Sequence, residues 1–434
     1  MEQYLQTVIK QGILPLTSEC NTTCLFCSHR FNPKDLQVFR RGPLRTASLE
    51  QILPTIKRLP SLTIGESITT TIEGEPLTHP EFLEILQTIR LAAPDLLLRI
   101  TTNGILLTSE LVGALQLLQP VELTISLNSV DPAARRQLMG RAAADIRPLL
   151  PLLEACLIPW HASLVAMPHV VGEADVLQTV DVASRYGART IRVFWPGFTK
   201  QTPAELYLST EIKRQTELLL ADWADNHRTP LLMEPISLDN LRAEVVGVMA
   251  DTPASRAGVG RGDVILAING QRVKSRTDAF WLAFELEDPE ISLERQGSIL
   301  LRQLSKAAES TSGLVFYGDL PPGVLARLHR YCRRNSGQVY VLTSRLAAGQ
   351  LRAALAGVRF GHVTVLPVDN QTLGGSIECA GLLTVSDFAQ ALATVRPMPD
   401  LVLLPRAPFD EQGHDLCGTH YHQLSAYCRQ LVVI

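Results

Sequence analysis

Three of the chain's eight cysteines fall close together, in Glu19-Cys20-Asn21-Thr22-Thr23-Cys24-Leu25-Phe26-Cys27-Ser28-His29. Three thiolates in one loop can ligate three irons of a [4Fe-4S] cluster and leave the fourth iron without a protein ligand. Such an open corner could chelate amino and carboxylate groups of a bound molecule, as open metal positions do in other catalytic sites. The same thiols with His29 make a C-x3-C-x2-C-x-H set, which suits a closed tetrahedral zinc. The other cysteines, Cys156, Cys332, Cys379, Cys417 and Cys428, are scattered. Wide spacing makes them read as buried inert thiols rather than an auxiliary cluster. His414-Asp415-Leu416-Cys417-Gly418-Thr419-His420-Tyr421-His422 is rich in potential ligands but follows no standard paired spacing.

The elements that must position the triplet are short β-like runs separated by helical stretches. The runs are 13–19, 67–74, 96–104, 121–129, 160–168 and 190–197; helices are expected over Pro80–Leu91, Ser109–Leu118, Pro132–Met139 and Ala174–Tyr186. Strands alternating with helices predict parallel β/α units. In 121–129, Leu123, Ile125 and Leu127 share one face while Thr124, Ser126 and Asn128 share the other. His161, Ser163 and Arg192 likewise fall on polar faces. A partial, six-stranded TIM-like barrel with a polar, ligand-filled lumen accounts for this pattern, and an antiparallel sheet with one solvated face is the plainer alternative. In the barrel, the cysteine loop would sit at the C-terminal end of the first strand, where active sites of β/α barrels form.

The pattern breaks around 225–240, and three domains are expected, at 1–228, 236–308 and 312–434. Segment 243–280 is rich in Gly, Val and Ile, and Asn269-Gly270 between apolar runs signals a hairpin. This stretch resembles a small β-rich PDZ domain of the bacterial type. PDZ modules add an extended peptide, often a C-terminus, to a sheet edge. The loop that would hold the carboxylate is expected upstream, and a purely architectural PDZ accounts for the sequence equally well. From 312 onward, 339–344, 363–368, 401–405 and 431–434 read as buried parallel strands of a three-layer α/β domain. A helix over TVSDFAQALATV is capped by Ser386.

The CxxxCxxC spacing with Phe26 before the last cysteine resembles the radical S-adenosylmethionine (radical SAM) family. The resemblance implies that Cys20, Cys24 and Cys27 ligate a [4Fe-4S] cluster and that Phe26 contacts the adenine side of S-adenosylmethionine. Glu73-Gly74-Glu75-Pro76 resembles the family's Gly-Gly-Glu-Pro motif, so Gly74, Glu75 and Pro76 would meet the methionyl amine, with Glu73 replacing the first glycine. Thr101-Thr102-Asn103-Gly104 resembles a Thr-Asn-Gly segment found in many members. Ser126 and Asn128 stand where polar residues lie near the ribose, Asn128 replacing a frequent Asp. Arg135, Arg136 and Arg141 are candidates to meet the cofactor carboxylate. Residues 363–392, more loosely continued to Gly418, resemble the C-terminal domain of an uncharacterised bacterial and cyanobacterial group that also combines a PDZ module with a radical SAM barrel, though there the PDZ comes first.

The chain has 434 residues, is 46% hydrophobic and carries a formal charge of −3. Its size accommodates about three domains, and its charge offers no global field for nucleic acid or anionic membrane. The basic stretch His29–Lys34 with Arg40, Arg41 and Arg45 reads as a solvated loop. No apolar run spans a bilayer and no secretory signal opens the chain, so a cytoplasmic location with reduced thiols is expected. The resemblance implies an enzyme that reductively cleaves S-adenosylmethionine and abstracts hydrogen from a substrate, a peptide or protein ranking first. It also implies a ferredoxin- or flavodoxin-like electron donor. The rival expectation is a zinc-bound PDZ scaffold without catalysis.

Overall fold

Proline punctuation shapes the start of the fold. Ile13 bridges Thr63 in parallel and the Leu14 amide donates to Thr63 O at 2.8 Å, but Pro15 has no N–H and the ladder stops there. The expected strand over 13–19 is therefore a short extended segment. Its second half turns to a different partner, with the Gly74 amide donating to Thr17 O at 2.7 Å and the Glu75 amide to Glu19 O at 2.8 Å. This computed structural model describes residues 12–66, 72–156, 158–356 and 362–434. The expected strand 67–74 lies largely outside the described residues, and its described part, 72–74, is irregular.

A six-stranded sheet runs in chain order: β1 (Ser61–Ile64), β2 (Leu97–Thr102), β3 (Val121–Ser126), β4 (Trp160–Val165), β5 (Ile191–Phe194) and β6 (Leu231–Glu234). β1 to β5 pair in parallel, with Leu98 opposite Val121 and Leu123 opposite Trp160. Helices α1 (Phe82–Ala92), α2 (Ser109–Gln116), α3 (Pro132–Met139) and α4 (Glu173–Arg185) make the crossovers. The strand order is an open path, so the partial β/α barrel is the fold. Alternation holds on β3, where Leu123 and Ile125 are fully buried while Thr124 and Ser126 stay half-exposed on the other face. Asp131 caps α3 by accepting the Ala133 and Ala134 amides, Pro132 presets its first turn, and Gly140 at φ +90° ends it. β1 and β6 fall outside the expected runs, because four-residue strands give too little alternation to read.

Two compact units divide the chain. One comprises the segment ending at Arg30, Val38–Pro196 and Pro203–Trp223; the other comprises Phe31–Gln37, Gly197–Thr202 and Ala224–Ile434. Within the second, β7 (Ala243–Glu244), β9 (Val264–Ile268), β10 (Gln271–Arg272), β11 (Glu290–Arg295) and β12 (Ser298–Gln303) form an antiparallel sheet covered by α5 (Arg276–Glu285). Asn269 and Gly270 both take positive φ, 48° and 74°, as a tight hairpin needs. β8 (Gly247–Val248) pairs with β13 (Leu314–Val315), a strand that arrives from downstream.

The C-terminal part is a four-stranded parallel sheet in the order β15-β14-β16-β17 (Val363–Val368, Val339–Ser344, Leu401–Leu404, Gln430–Val433). Apolar cores on both faces make three layers: α6 (Pro322–Arg334) and α7 (Arg345–Ala356) pack on one side, and α8 (Val385–Ala393) packs on the other. Thr384, not Ser386, caps α8, because it can exchange bonds with Asp387 three residues on. Buried Asp387 also accepts the Gln371 and Thr372 amides at 3.0 Å each, fastening the loop after β15. That loop in turn holds Gly197–Thr202, through Lys200 N to Leu373 O and Ser376 N to Phe198 O, both 2.8 Å. Asp387→Ala strands several buried donors at once and should lower the stability of the second unit by about 3 kcal/mol, read as a lower unfolding midpoint of the full chain.

Candidate functional site

The cysteine loop is held by hydrogen bonds from three neighbouring segments. Thr23 N donates to Met139 O at 3.0 Å and Leu25 N to Leu138 O at 2.8 Å, so the last carbonyls of α3 grip the residues on both sides of Cys24. Gly140 permits this approach, since a Cβ there would lie 2.2 Å from Thr23 Oγ1. Cys20 and Cys27 are exposed and Cys24 is half-buried. The Cys20 and Cys24 sulfurs share one hydroxyl, Thr22 Oγ1, at 3.2 and 3.5 Å. Burial pushes the Cys24 thiol up to about 11, with the neighbouring Cys20 and Cys27 adding to the rise. Among the described residues no three potential ligands close around a single ion. Three thiols disposed around one short loop suit a cluster, in which each iron takes one sulfur.

The second and third motifs lock onto this loop. Glu75 is buried; its carboxylate accepts the Thr102 hydroxyl at 2.5 Å, the Asn103 amide at 2.7 Å and the Leu77 amide at 3.3 Å. Asn103 then donates through Nδ2 to Asn21 Oδ1 at 2.7 Å, inside the cysteine loop. Gly74 leaves no room for a side chain, because its Cβ would sit 1.8 Å from Glu19 O. Pro76 is buried and opens a short 3-10 turn with Glu75 as its cap. Phe26 is half-buried between Cys24 and Cys27.

Ser126, at the end of β3, meets the Ser163 hydroxyl at 3.4 Å. Asn128 is buried in the left-handed region, φ 57°, with Oδ1 accepting the Val165 amide at 3.0 Å and Nδ2 reaching Ser126 O at 3.3 Å. An aspartate there would have no donor for Ser126 O, a physical reason for asparagine. Of the three candidate arginines, Arg136 and Arg141 are exposed, whereas Arg135 is fully buried and spent on backbone carbonyls. The Asn21–Asn103 bond and Arg135's burial escaped the sequence reading; only the polar residue inside the cysteine loop offered a hint. His420 stacks on His422 with ring centroids 4.8 Å apart and meets His414 edge-on at 5.0 Å, and Cys332 and Cys428 are buried.

Glu73, which stands where the motif resemblance expects glycine, is buried with Oε1 accepting the Leu16 amide at 2.9 Å. Burial, reinforced by Glu75, pushes its carboxyl from 4.5 up to about 8. The folded chain therefore holds a proton that the unfolded chain releases, so this group's contribution to stability is lost as pH climbs from about 4.5 to about 8. Glu73→Gln, which mimics the protonated acid, should flatten that fall by a few kcal/mol in pH-dependent unfolding.

Residues 14–210 match the model of the radical SAM superfamily, and residues 244–293 match that of the PDZ domain. The mycofactocin maturase MftC of Mycobacterium tuberculosis is 27% identical over 180 residues, 41% of this chain and 42% of the maturase. GTP 3',8-cyclase of Microcystis aeruginosa is 31% identical over 127 residues, 29% of this chain and 37% of the cyclase. The match thus spans less than half the length of either relative. Among solved structures, SuiB of Streptococcus suis bound to the precursor peptide SuiA aligns with a TM-score of 0.42 at 17% identity, covering 52% of this chain and 48% of SuiB. None of the chain's described helices is long and apolar enough to cross a membrane. The radical SAM match lies over β1 to β5 and the cysteine loop, and the PDZ match lies over the β-rich segment that follows.

Proposed function

We propose that the chain is a radical SAM enzyme in which Cys20, Cys24 and Cys27 hold a [4Fe-4S] cluster and S-adenosylmethionine binds beside it. The observation that carries this reading is the bonded unit Glu75–Asn103–Asn21, which ties three motifs to one loop. When bound, cluster and cofactor together supply a reductively generated 5′-deoxyadenosyl radical for hydrogen abstraction. The chain's own residues bind and orient. Glu75 offers a carboxylate to an ammonium, pre-set by Thr102 and the Asn103 amide. Gly74 and Pro76 give close backbone approach, and Phe26, Ser126 and Asn128 would line the adenosine side. The half-exposed Thr124, Ser126 and Ser163 leave the barrel face polar for a ligand.

A ferredoxin- or flavodoxin-like protein would deliver the electron, and a peptide or protein is the proposed substrate. Support for a peptide comes from the PDZ module and from the maturase among the relatives. β13 pairs with β8 on one side, so its other edge is where an extended peptide would add. Anaerobic reconstitution tests the reading: about four irons per chain and reductive cleavage of S-adenosylmethionine are expected. A colourless protein with one zinc would instead support a scaffold without catalysis.

A further inference from the structure

Arg135 heads the largest fully buried side chains, at 0% exposure. Among the described residues it makes no ion pair. Its guanidinium bonds only backbone carbonyls: Nε to Ala144 O at 3.1 Å, Nη1 to Ser126 O at 3.3 Å and to Leu127 O, and Nη2 to Asn103 O at 2.6 Å. The nearby Asp145 carboxylate is exposed and held by Arg147. Desolvation pulls the guanidinium down to about 10, which still leaves it charged at neutral pH. Burying a lone cation costs several kcal/mol unless an anion answers it.

The structure shows where that anion would be. Arg135 lies on α3, one turn before Leu138 and Met139, whose carbonyls hold Leu25 and Thr23 on either side of Cys24. Arg135 Nη2 also bonds the carbonyl of Asn103, whose side chain donates to Asn21 inside the cysteine loop. An oxidised [4Fe-4S] core with three thiolates carries net negative charge, and reduction adds another unit. We propose that Arg135 is a positioning residue that presents a fixed, buried cation to the Cys24 side of the cluster, offsetting its negative charge and easing its reduction. This rests on reading Cys20, Cys24 and Cys27 as cluster ligands.

The test uses the full chain, reconstituted anaerobically without S-adenosylmethionine and titrated with dithionite while the cluster is followed by electron paramagnetic resonance. Arg135→Met, which removes the charge at similar volume, should make the cluster at least tenfold harder to reduce, ~59 mV more negative for a one-electron couple. Arg135→Lys should keep a potential near that of the unaltered chain even where stability falls, and Arg136→Met, an exposed neighbour, should change nothing. If Arg135→Met does not fold, Arg135→Lys decides: a full iron complement with an equally negative potential overturns the proposal. An unshifted potential in a fully loaded Arg135→Met chain overturns it as well. Failure of the unaltered chain to take up iron would instead overturn the cluster assignment beneath it.

Discussion

Cys24→Ala should abolish both iron binding and cleavage of S-adenosylmethionine, down to the level of buffer, while the chain keeps its fold. Backbone bonds from Thr23 and Leu25 to α3 fix the loop around Cys24, so no small shift brings another thiol into its place. Among the cysteines outside the loop, Cys332 and Cys428 are buried and Cys156 ends a separate helix. Removing one half-buried thiol costs little stability, on the order of 1 kcal/mol, so loss of iron would not reflect unfolding. Cys156→Ala should leave iron content and cleavage intact. Iron analysis and 5′-deoxyadenosine assay of the two variants check this, and cleavage surviving in Cys24→Ala would show the ligand assignment to be wrong.

The second large effect is expected from Gly74→Ala. A Cβ 1.8 Å from Glu19 O and 2.4 Å from Glu19 C cannot be accommodated without moving backbone. The bonds from Gly74 N to Thr17 O and Glu75 N to Glu19 O must open, displacing Glu75 on one side and the residue before Cys20 on the other. Overpacking of this kind costs about 1–3 kcal/mol, and the same displacement should weaken S-adenosylmethionine binding by at least about tenfold, since 1.4 kcal/mol is a factor of ten. Gly113→Ala is the matched control: nothing lies within 4 Å of its added Cβ, and in α2 the change should stabilise by up to about 1 kcal/mol. Equilibrium dialysis with S-adenosylmethionine and thermal unfolding separate the two variants.

Features with strong local signals are legible in the sequence. α3 begins and ends where Asp131-Pro132 and Gly140 dictate, and the polar face of β3 follows from strict alternation. The Asn269-Gly270 hairpin and the four C-terminal strands are equally local. What remained hidden depends on contacts distant in sequence. Pro15 cuts the first strand short, and the bonds that replace its ladder come from residues 72–75. β13 reaches β8 from more than sixty residues away, and no local pattern marks the direction from which a pairing strand arrives. Arg135 carries a charge that composition assigns to the surface, yet carbonyls from three segments enclose it. At the site, the cysteine, Glu75 and Asn103 motifs were visible singly, but the Asn21–Asn103 bond that joins them required the fold.

The most direct test of the central claim compares the electron paramagnetic resonance spectrum of the dithionite-reduced, reconstituted protein before and after addition of S-adenosylmethionine. An iron that lacks a polypeptide sulfur and accepts the cofactor predicts a reduced-cluster signal whose shape changes on addition. A signal that stays the same, or a preparation holding a single zinc and no signal, would contradict it.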